Sequence, residues 1–435
     1  MSKRYQNQRI DTPEPGLAAL PERVQVAVGE IAVDLREGLL ALAVGAGLRV
    51  MRAMMDADVE AVCGPRGRQD RDRVAVRHGR ERGSVTVGGR RVPVQRPRVR
   101  AVDGSGEVPV PAYEVFTSTE VLGRMAMERM LGGLSTRRYG LGLEPVGEAV
   151  EQDARSTSKS AVSRKFVAAT QTALSQILAA DLAGLDLVAL MIDGVHFAES
   201  CCVVALGIGI DGTKHPLALV EGSTENATLV TDLCVDLRER GLDVTRPILV
   251  VLDGSKALRR AVLDVFDRPV IARCQLHKLR NVRDKLPQRL RGPVQRRIRE
   301  AYHAPTALEA QARLESLAQE LDKTHPGAAA SVREGLHETL TVLRLQLPPT
   351  LARTLRSTNA IESMISICRE HSKNVKRWRD GKMALRWCAA GMLEAGKQFR
   401  RVNGHLHLRA LRDALEREAA EPDVATCQDG TVNVA

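Results

Sequence analysis

The feature that most restricts the fold of this chain is a change of pattern at residue 187. Before it, apolar residues recur at helical spacing, as in Val24, Val28, Ile31, Leu35 and Leu39. From 187 they come in short continuous runs, at 187–192, 202–210, 215–220, 247–252 and 270–272. Short apolar runs bounded by turn residues read as buried strands, whereas helices need about ten residues or more. Asp211-Gly212 between the second and third runs marks a hairpin. Amphipathic stretches at 226–240 and 257–266 separate the third run from the fourth and the fourth from the fifth. Strands joined first by hairpins and then by helices require a mixed sheet with helices packed on its faces. After 274 the strand signal does not return, and 274–356 and 357–400 read as helical.

This order of elements resembles the ribonuclease-H-like fold. The expected class is therefore α/β: a mixed five-stranded sheet with flanking helices, interrupted by an all-α insertion. An N-terminal, mainly helical region with a basic β-hairpin precedes it. The divisions expected are a loose leader over 1–20, an N-terminal region over 21–180, and a first core segment over 185–273. A helical insertion over 274–356, a final core segment over 357–415 and a loose tail over 416–435 follow.

Charge is distributed unevenly. The net charge is +11, yet residues 65–100 hold 12 Arg against 3 acids and residues 273–300 hold 10 basic side chains against 2. Residues 369–386 hold 7 against 2, so the rest of the chain is net acidic. Concentrated basic stretches suit either a polyanion partner, nucleic acid first, or a generally arginine-rich proteome, and composition alone does not separate the two. With 11 aromatic residues, a base-stacking single-strand binder is disfavoured. No apolar run reaches the roughly 18 residues of a membrane span. The polar start carries no apolar signal region. The 8 cysteines form no CxxC, which suits a reducing, cytoplasmic setting.

Within the N-terminal region, residues 84–100 read as a hairpin turning at Gly88-Gly89, with Arg90 and Arg91 among its arginines. Such a ribbon either lies against phosphates or is simply an exposed charged hairpin. A helix-turn-helix is expected over about 134–175, where Lys159, Arg164 and Lys165 open the second helix as groove-facing residues. Ser158 and its neighbours also suit an ordinary helix cap.

Asp193 and Asp253 each follow a buried apolar run at the strand end where α/β sheets collect ligand sites. Paired carboxylates suit Mg²⁺ or Mn²⁺. Taken singly, each Asp-Gly is more readily a turn. Glu362 is the third candidate, although Asn359 and Glu362 also fit a capping box. Cys274 and His277 form a CxxH, two ligands short of a structural zinc site, so zinc is not expected. The pair is then either a buried Cys with a partly exposed His or a His that touches substrate, and the neighbouring Arg273, Lys278, Arg280, Arg283 and Lys285 favour phosphate near His277. Arg369, Lys373, Lys376 and Arg377 follow Glu362 and would hold DNA, while Trp378 either stacks on a base or seals a helix contact.

The succession Asp193-Gly194, LGIGIDGTKHPLALVEGSTENATLVTDL, VLDGSKALRRAV, CQLHKLRNV and STNAIES resembles the Mutator-type transposases of bacterial insertion sequences. The resemblance covers most of 130–400. It implies a DDE triad of Asp193, Asp253 and Glu362, with the helical insertion lying in the interval of 109 positions between the last two. It implies that Cys274 and His277 are the family's CxxH pair near the active site. One departure stands after the first Asp, where His196 to Ser200 replace the family's Tyr-x-Lys-x-Arg. Such a triad holds two Mg²⁺ or Mn²⁺ ions about 3.5–4 Å apart. They serve hydrolysis at the element's end and then attack by the freed 3′-OH on a second strand. The implied partners are double-stranded DNA, both terminal inverted repeats and target, and further copies of the chain as a dimer or larger assembly on DNA. The expected location is cytoplasmic, on the nucleoid when DNA is bound, with no membrane association. Two other functions fit less of the pattern: a ribonuclease-H-like nuclease or resolvase, and a non-catalytic DNA-binding protein derived from a transposase.

Overall fold

The computed structural model describes residues 38–420 except 69–72, 119, 145 and 225. The leader over 1–20, the first part of the helix expected from 22 and residues 421–435 lie outside the described residues. The chain forms two compact units: the first runs to Phe166, except for Leu131–Gly133, which belong with Val167 onward to the second.

The first unit is built on helix α1 (Leu39–Cys63) and a long hairpin of β1 (Ala75–Val87) and β2 (Arg90–Ala101), with β3 (Glu107–Val108) at its edge. Gly88 and Gly89 form the two-residue turn at φ 53° and 77°, the left-handed pair that matches strand twist. A Cβ at Gly88 would also sit 3.0 Å from Val146 Cγ1. Val85, Val92, Val94 and Val99 alternate onto one face and meet Met51, Met55 and Val59 of α1. Burying that stripe outweighs the weak strand propensity of so many arginines.

Arg90 and Arg91, which open β2, make internal bonds. Arg90 is 3% exposed. Its guanidinium donates to the Glu144 carbonyl at 2.7 Å and to Glu151 Oε1 at 3.0 Å. Arg91 donates to the Thr117 carbonyl and to Ser84 Oγ, both at 2.6 Å. A phosphate contact from either would have to replace internal bonds. Arg82 and Arg100 are exposed and have no carboxylate partner among the described residues. Arg90→Ala is therefore expected to destabilise the first unit by about 1–3 kcal/mol, because it strands a carbonyl acceptor. Urea unfolding measures this, and an unchanged midpoint would contradict it.

The region 134–175 carries a 3₁₀ turn at Tyr139–Gly142 and two helices, Glu148–Asp153 and Lys159–Leu178. The first of these helices has only 6 residues. The long one straddles the division between units. Its later residues Leu174 and Ile177 belong to the core of the second unit, and its Ile177 carbonyl accepts from Arg240 Nη1 at 2.8 Å.

The second unit holds a five-stranded sheet of β4 (Leu187–Phe197), β5 (Ser200–Gly209), β6 (Lys214–Gly222), β7 (Ile248–Leu252) and β8 (Pro269–Arg273). The order is β6-β5-β4-β7-β8. The first three strands are antiparallel, and β4, β7 and β8 are parallel. Helices Ala227–Glu239 and Lys256–Val265 cover one face. The other face is covered by Asn359–Ser372, Gly381–Gln398 and Leu408–Ala420. The last of these helices continues to 420, so the tail expected from 416 begins as regular structure. Between β8 and residue 359 the described structure is helical, and residues 279–340 close a separate apolar core that includes Val282, Ile298, Leu314 and Leu336.

Candidate active site

Strand parity brings the two aspartates together. Along β4, Ala189, Met191, Val195 and Phe197 face the core shared with Ile361, Met364 and Ile365, while Leu190 and Ile192 face the opposite core. Asp193 falls on the first face. Along β7, Leu249 and Val251 share that face, and Ile248, Val250 and Leu252 take the other. The register Met191↔Val251 of the parallel pair then sets Asp193 beside Asp253. Glu362 lies in the first turn of the helix Asn359–Ser372, next to buried Ile361 on the same side of the sheet.

Asp193 does not stand at a turn, the role its Asp-Gly pair suggests. β4 runs on to Phe197, Asp193 pairs with Val204, and the chain reverses at Ala198, with φ 53°. Val195 and Phe197 continue the buried alternation, so ending the strand at 192 would expose both. Asp253 does lie just past its strand, and its Oδ1 accepts from Ser255 N–H at 2.8 Å. Gly254 has φ 107°, and its carbonyl accepts from Arg273 Nη2 at 3.1 Å. Arg273 and Lys278 are buried and bonded to carbonyls of residues 331–334. They hold the loop after Asp253 and the adjoining helices rather than facing a phosphate, contrary to expectation.

The carboxylates sense one another. Asp193 is pushed up to about 6. Burial is the main cause, opposed by the Gly194 N–H at 2.8 Å. The negative charge of Asp253 and, more weakly, of Glu362 pushes the same way, while His277 offsets part of it. Half-buried acids crowded in this way fit a hard divalent cation, whose charge removes the mutual repulsion.

A second cluster adjoins the first. Thr358 is fully buried. Its hydroxyl donates to Glu362 Oε1 at 2.7 Å and lies 3.4 Å from both Cys274 Sγ and His277 Nδ1. Its backbone N–H points at the same sulfur at 3.4 Å. His277 Nε2 stands 3.7 Å from Glu362 Oε1. Ligand atoms of Cys274, His277 and Glu362 lie within 4.8 Å of one another, which adds to the CxxH a third ligand that spacing did not reveal. His277 is raised from its ordinary range, chiefly by its hydrogen bond to Cys274 and against burial. For Cys274, burial pushes upward but is outweighed by the bonds from His277 and Thr358, so the net direction is down. The capping box is absent, because Thr358 occupies the cap position without a side-chain cap bond. Its hydroxyl is spent on Glu362 instead. Sequence reasoning missed Thr358, whose only signal was its place beside Asn359.

The basic residues divide by availability. Arg369, Lys376 and Arg377 are exposed, and Lys373 is exposed but paired with Glu370. Lys376, Arg377 and Trp378 lie in the irregular segment 375–380 rather than on a helix. Trp378 packs on Phe197 with ring centroids 4.9 Å apart and meets Trp387 at 6.3 Å, so the sealing role fits its surroundings. Lys159 and Arg164 are exposed, whereas Lys165 is half-buried and donates to the Ser156 carbonyl at 3.2 Å.

A family model described as "Transposase, Mutator family" matches residues 35–401. A probable insertion-sequence transposase of Corynebacterium diphtheriae is 31% identical over 195 residues, 45% of this chain and 56% of that protein. The transposase of IS6120 from Mycolicibacterium smegmatis is 31% identical over 204 residues, 46% of this chain and 62% of that protein. The transposase of ISRM5 from Rhizobium meliloti is 24% identical over 367 residues, 84% of this chain and 90% of that protein. The chain thus spans 56% and 62% of the length of the first two relatives.

Proposed function

The chain belongs to the Mutator family of transposases, and from that premise we propose that it cleaves the ends of an insertion sequence and joins them to target DNA through Asp193, Asp253 and Glu362. The five-stranded sheet is read as a ribonuclease-H-like core, and the helices between β8 and residue 359 as its insertion. The observation that carries this reading is the half-buried Asp193, raised first by burial and then by the charges of Asp253 and Glu362, acids far from it in sequence.

The three carboxylates would hold Mg²⁺ or Mn²⁺, two ions per site. Such cations polarise the attacking and leaving oxygens of an in-line phosphoryl displacement. Thr358 fixes Oε1 of Glu362. Arg273 fixes the Gly254 carbonyl and so the loop that carries Asp253. His277, raised toward its cationic form, balances acidic charge and offers Nε2–H to a phosphate oxygen. The exposed Arg369, Lys376 and Arg377 neutralise phosphates along the bound strand, so binding falls steeply with salt. The first unit, with Arg82, Arg100, Lys159 and Arg164, is proposed to read the terminal inverted repeats. Synapsis of two ends calls for a dimer or larger assembly. No helix among the described residues is long and apolar enough to cross a membrane.

A strand-transfer assay with an end-containing oligonucleotide and Mg²⁺ or Mn²⁺ tests the proposal. Joined products are expected. Hydrolysis without joining would favour the nuclease or resolvase, and binding without either would favour the non-catalytic protein. Thr358→Val, which keeps shape but removes the hydroxyl, is expected to lower the cleavage rate by about 10–100-fold, the usual cost of losing an outer-shell partner. DNA affinity should hold, and Thr358→Ser should restore the rate. Equal loss in both variants would deny the hydroxyl this positioning role.

A further inference from the structure

A cavity of about 190 Å³ adjoins the carboxylate site through the neighbours of Cys274 and Thr358. Gln275, the residue after Cys274, lines it, as do Ser357 and Asn359, which flank Thr358. It is far larger than the ~10–15 Å³ that one water needs. Leu276, Leu279 and Tyr302 give it an apolar wall. Three guanidiniums, of Arg299, Arg353 and Arg356, also line it.

These cations are uncompensated. No carboxylate pairs with any of the three among the described residues. Burial and the neighbouring charge of Arg353 both push Arg356 below its usual range, so the two repel. Arg356 is nonetheless held in place. Its Nη1 donates to His303 Nε2 at 3.2 Å, and His303 Nδ1 in turn donates to the Arg299 carbonyl at 2.7 Å. A guanidinium oriented by a hydrogen-bonded histidine, with two more lining the same cavity and no acid paired to them, suits an external anion. An apolar recess beneath them suits a ring system rather than a bare phosphate.

We propose that this cavity captures one unstacked nucleotide of the DNA strand engaged at the carboxylates, with its phosphate on Arg299, Arg353 and Arg356 and its base against Leu276, Leu279 and Tyr302. The inference rests on the reading of the chain as a DNA-cleaving transposase. It adds that the enzyme opens a base pair beside the reacting phosphate, a cost lowest where the pair is already mismatched.

The test uses the full-length protein and end-containing duplexes in Ca²⁺, with a single mismatch moved one position at a time past the expected cleavage point. One position is expected at which the mismatch raises affinity, by about tenfold or more given the usual cost of opening a pair. Leu276→Trp, which fills the recess, should erase that peak. Arg299→Gln with Arg353→Gln should also erase it, and should reduce the slope of log affinity against log salt by about 0.7–0.9 per lost contact. Melting curves confirm that each variant is folded, and either variant alone suffices. A flat mismatch profile in the unmodified protein, or a peak that survives in the folded variants, would overturn the proposal. A reduced salt slope with no mismatch peak would also overturn it, in favour of plain phosphate contact. Cleavage in Mn²⁺, measured separately, keeps the two readings apart. A protein that cleaves but shows no peak refutes the pocket alone. One that shows the peak but never cleaves refutes the chemistry and leaves the pocket standing.

Discussion

Asp193→Asn is expected to abolish metal-dependent cleavage at the element's ends while leaving DNA binding intact. The substitution preserves size and the ladder with Val204, so the sheet should fold as before. It removes one of three negative charges that together would hold the cations. Asp193 is also the carboxylate that senses the other two, as its value of about 6 records. The loss should therefore exceed the roughly 10–100-fold penalty of an outer-shell change and reach the background of the assay. Binding should be unchanged or slightly tighter, because a neutral amide repels phosphate less than a carboxylate does. Cleavage and gel-shift assays on the same preparation measure both halves. Full cleavage by this variant would remove the carboxylate site from the chemistry altogether.

Removing residues 1–157 is expected to erase preference for the element's ends. If the first unit is the reader, affinity for end DNA should fall to the level of unrelated DNA, a loss of about 10³-fold or more. The place of the cut matters. Truncation at 180, the boundary that the sequence pattern suggests, would also remove Leu174 and Ile177 from the core of the second unit and the Ile177 carbonyl from Arg240. That protein should be destabilised and aggregate. Comparing the two truncations separates loss of recognition from loss of folding. Persistent end preference in the 1–157 deletion, shown by competition binding, would place recognition in residues 158 onward.

The strands were legible because a buried strand needs a continuous apolar run, and such runs survive in sequence whatever the partner strand is. The alternation of Val92 and Val94 likewise revealed the hairpin. The internal bonds of Arg90 and Arg91 were not legible, because a guanidinium that bonds within the protein is written with the same letter as one facing solvent. Asp193 reads as the end of its strand because Asp-Gly favours turns. The ladder extends through it because Val195 and Phe197 still have a core to enter. Trp378 was open between two roles until Phe197 came to lie against its ring.

What the sequence alone determined was the kind of parts and their order: strands joined by hairpins, strands joined by helices, a long helical stretch, three acids and clustered basic charge. These follow from local rules of periodicity and turn chemistry, which operate over a few residues. Tertiary structure alone decided which groups meet. Thr358 came to lie beside Cys274 and His277, Arg273 became the support of the Asp253 loop, and Arg299, Arg353 and Arg356 the rim of one cavity. Most of those contacts join residues tens of positions apart, and their energy depends on burial and distance, quantities that a linear order of residues does not carry.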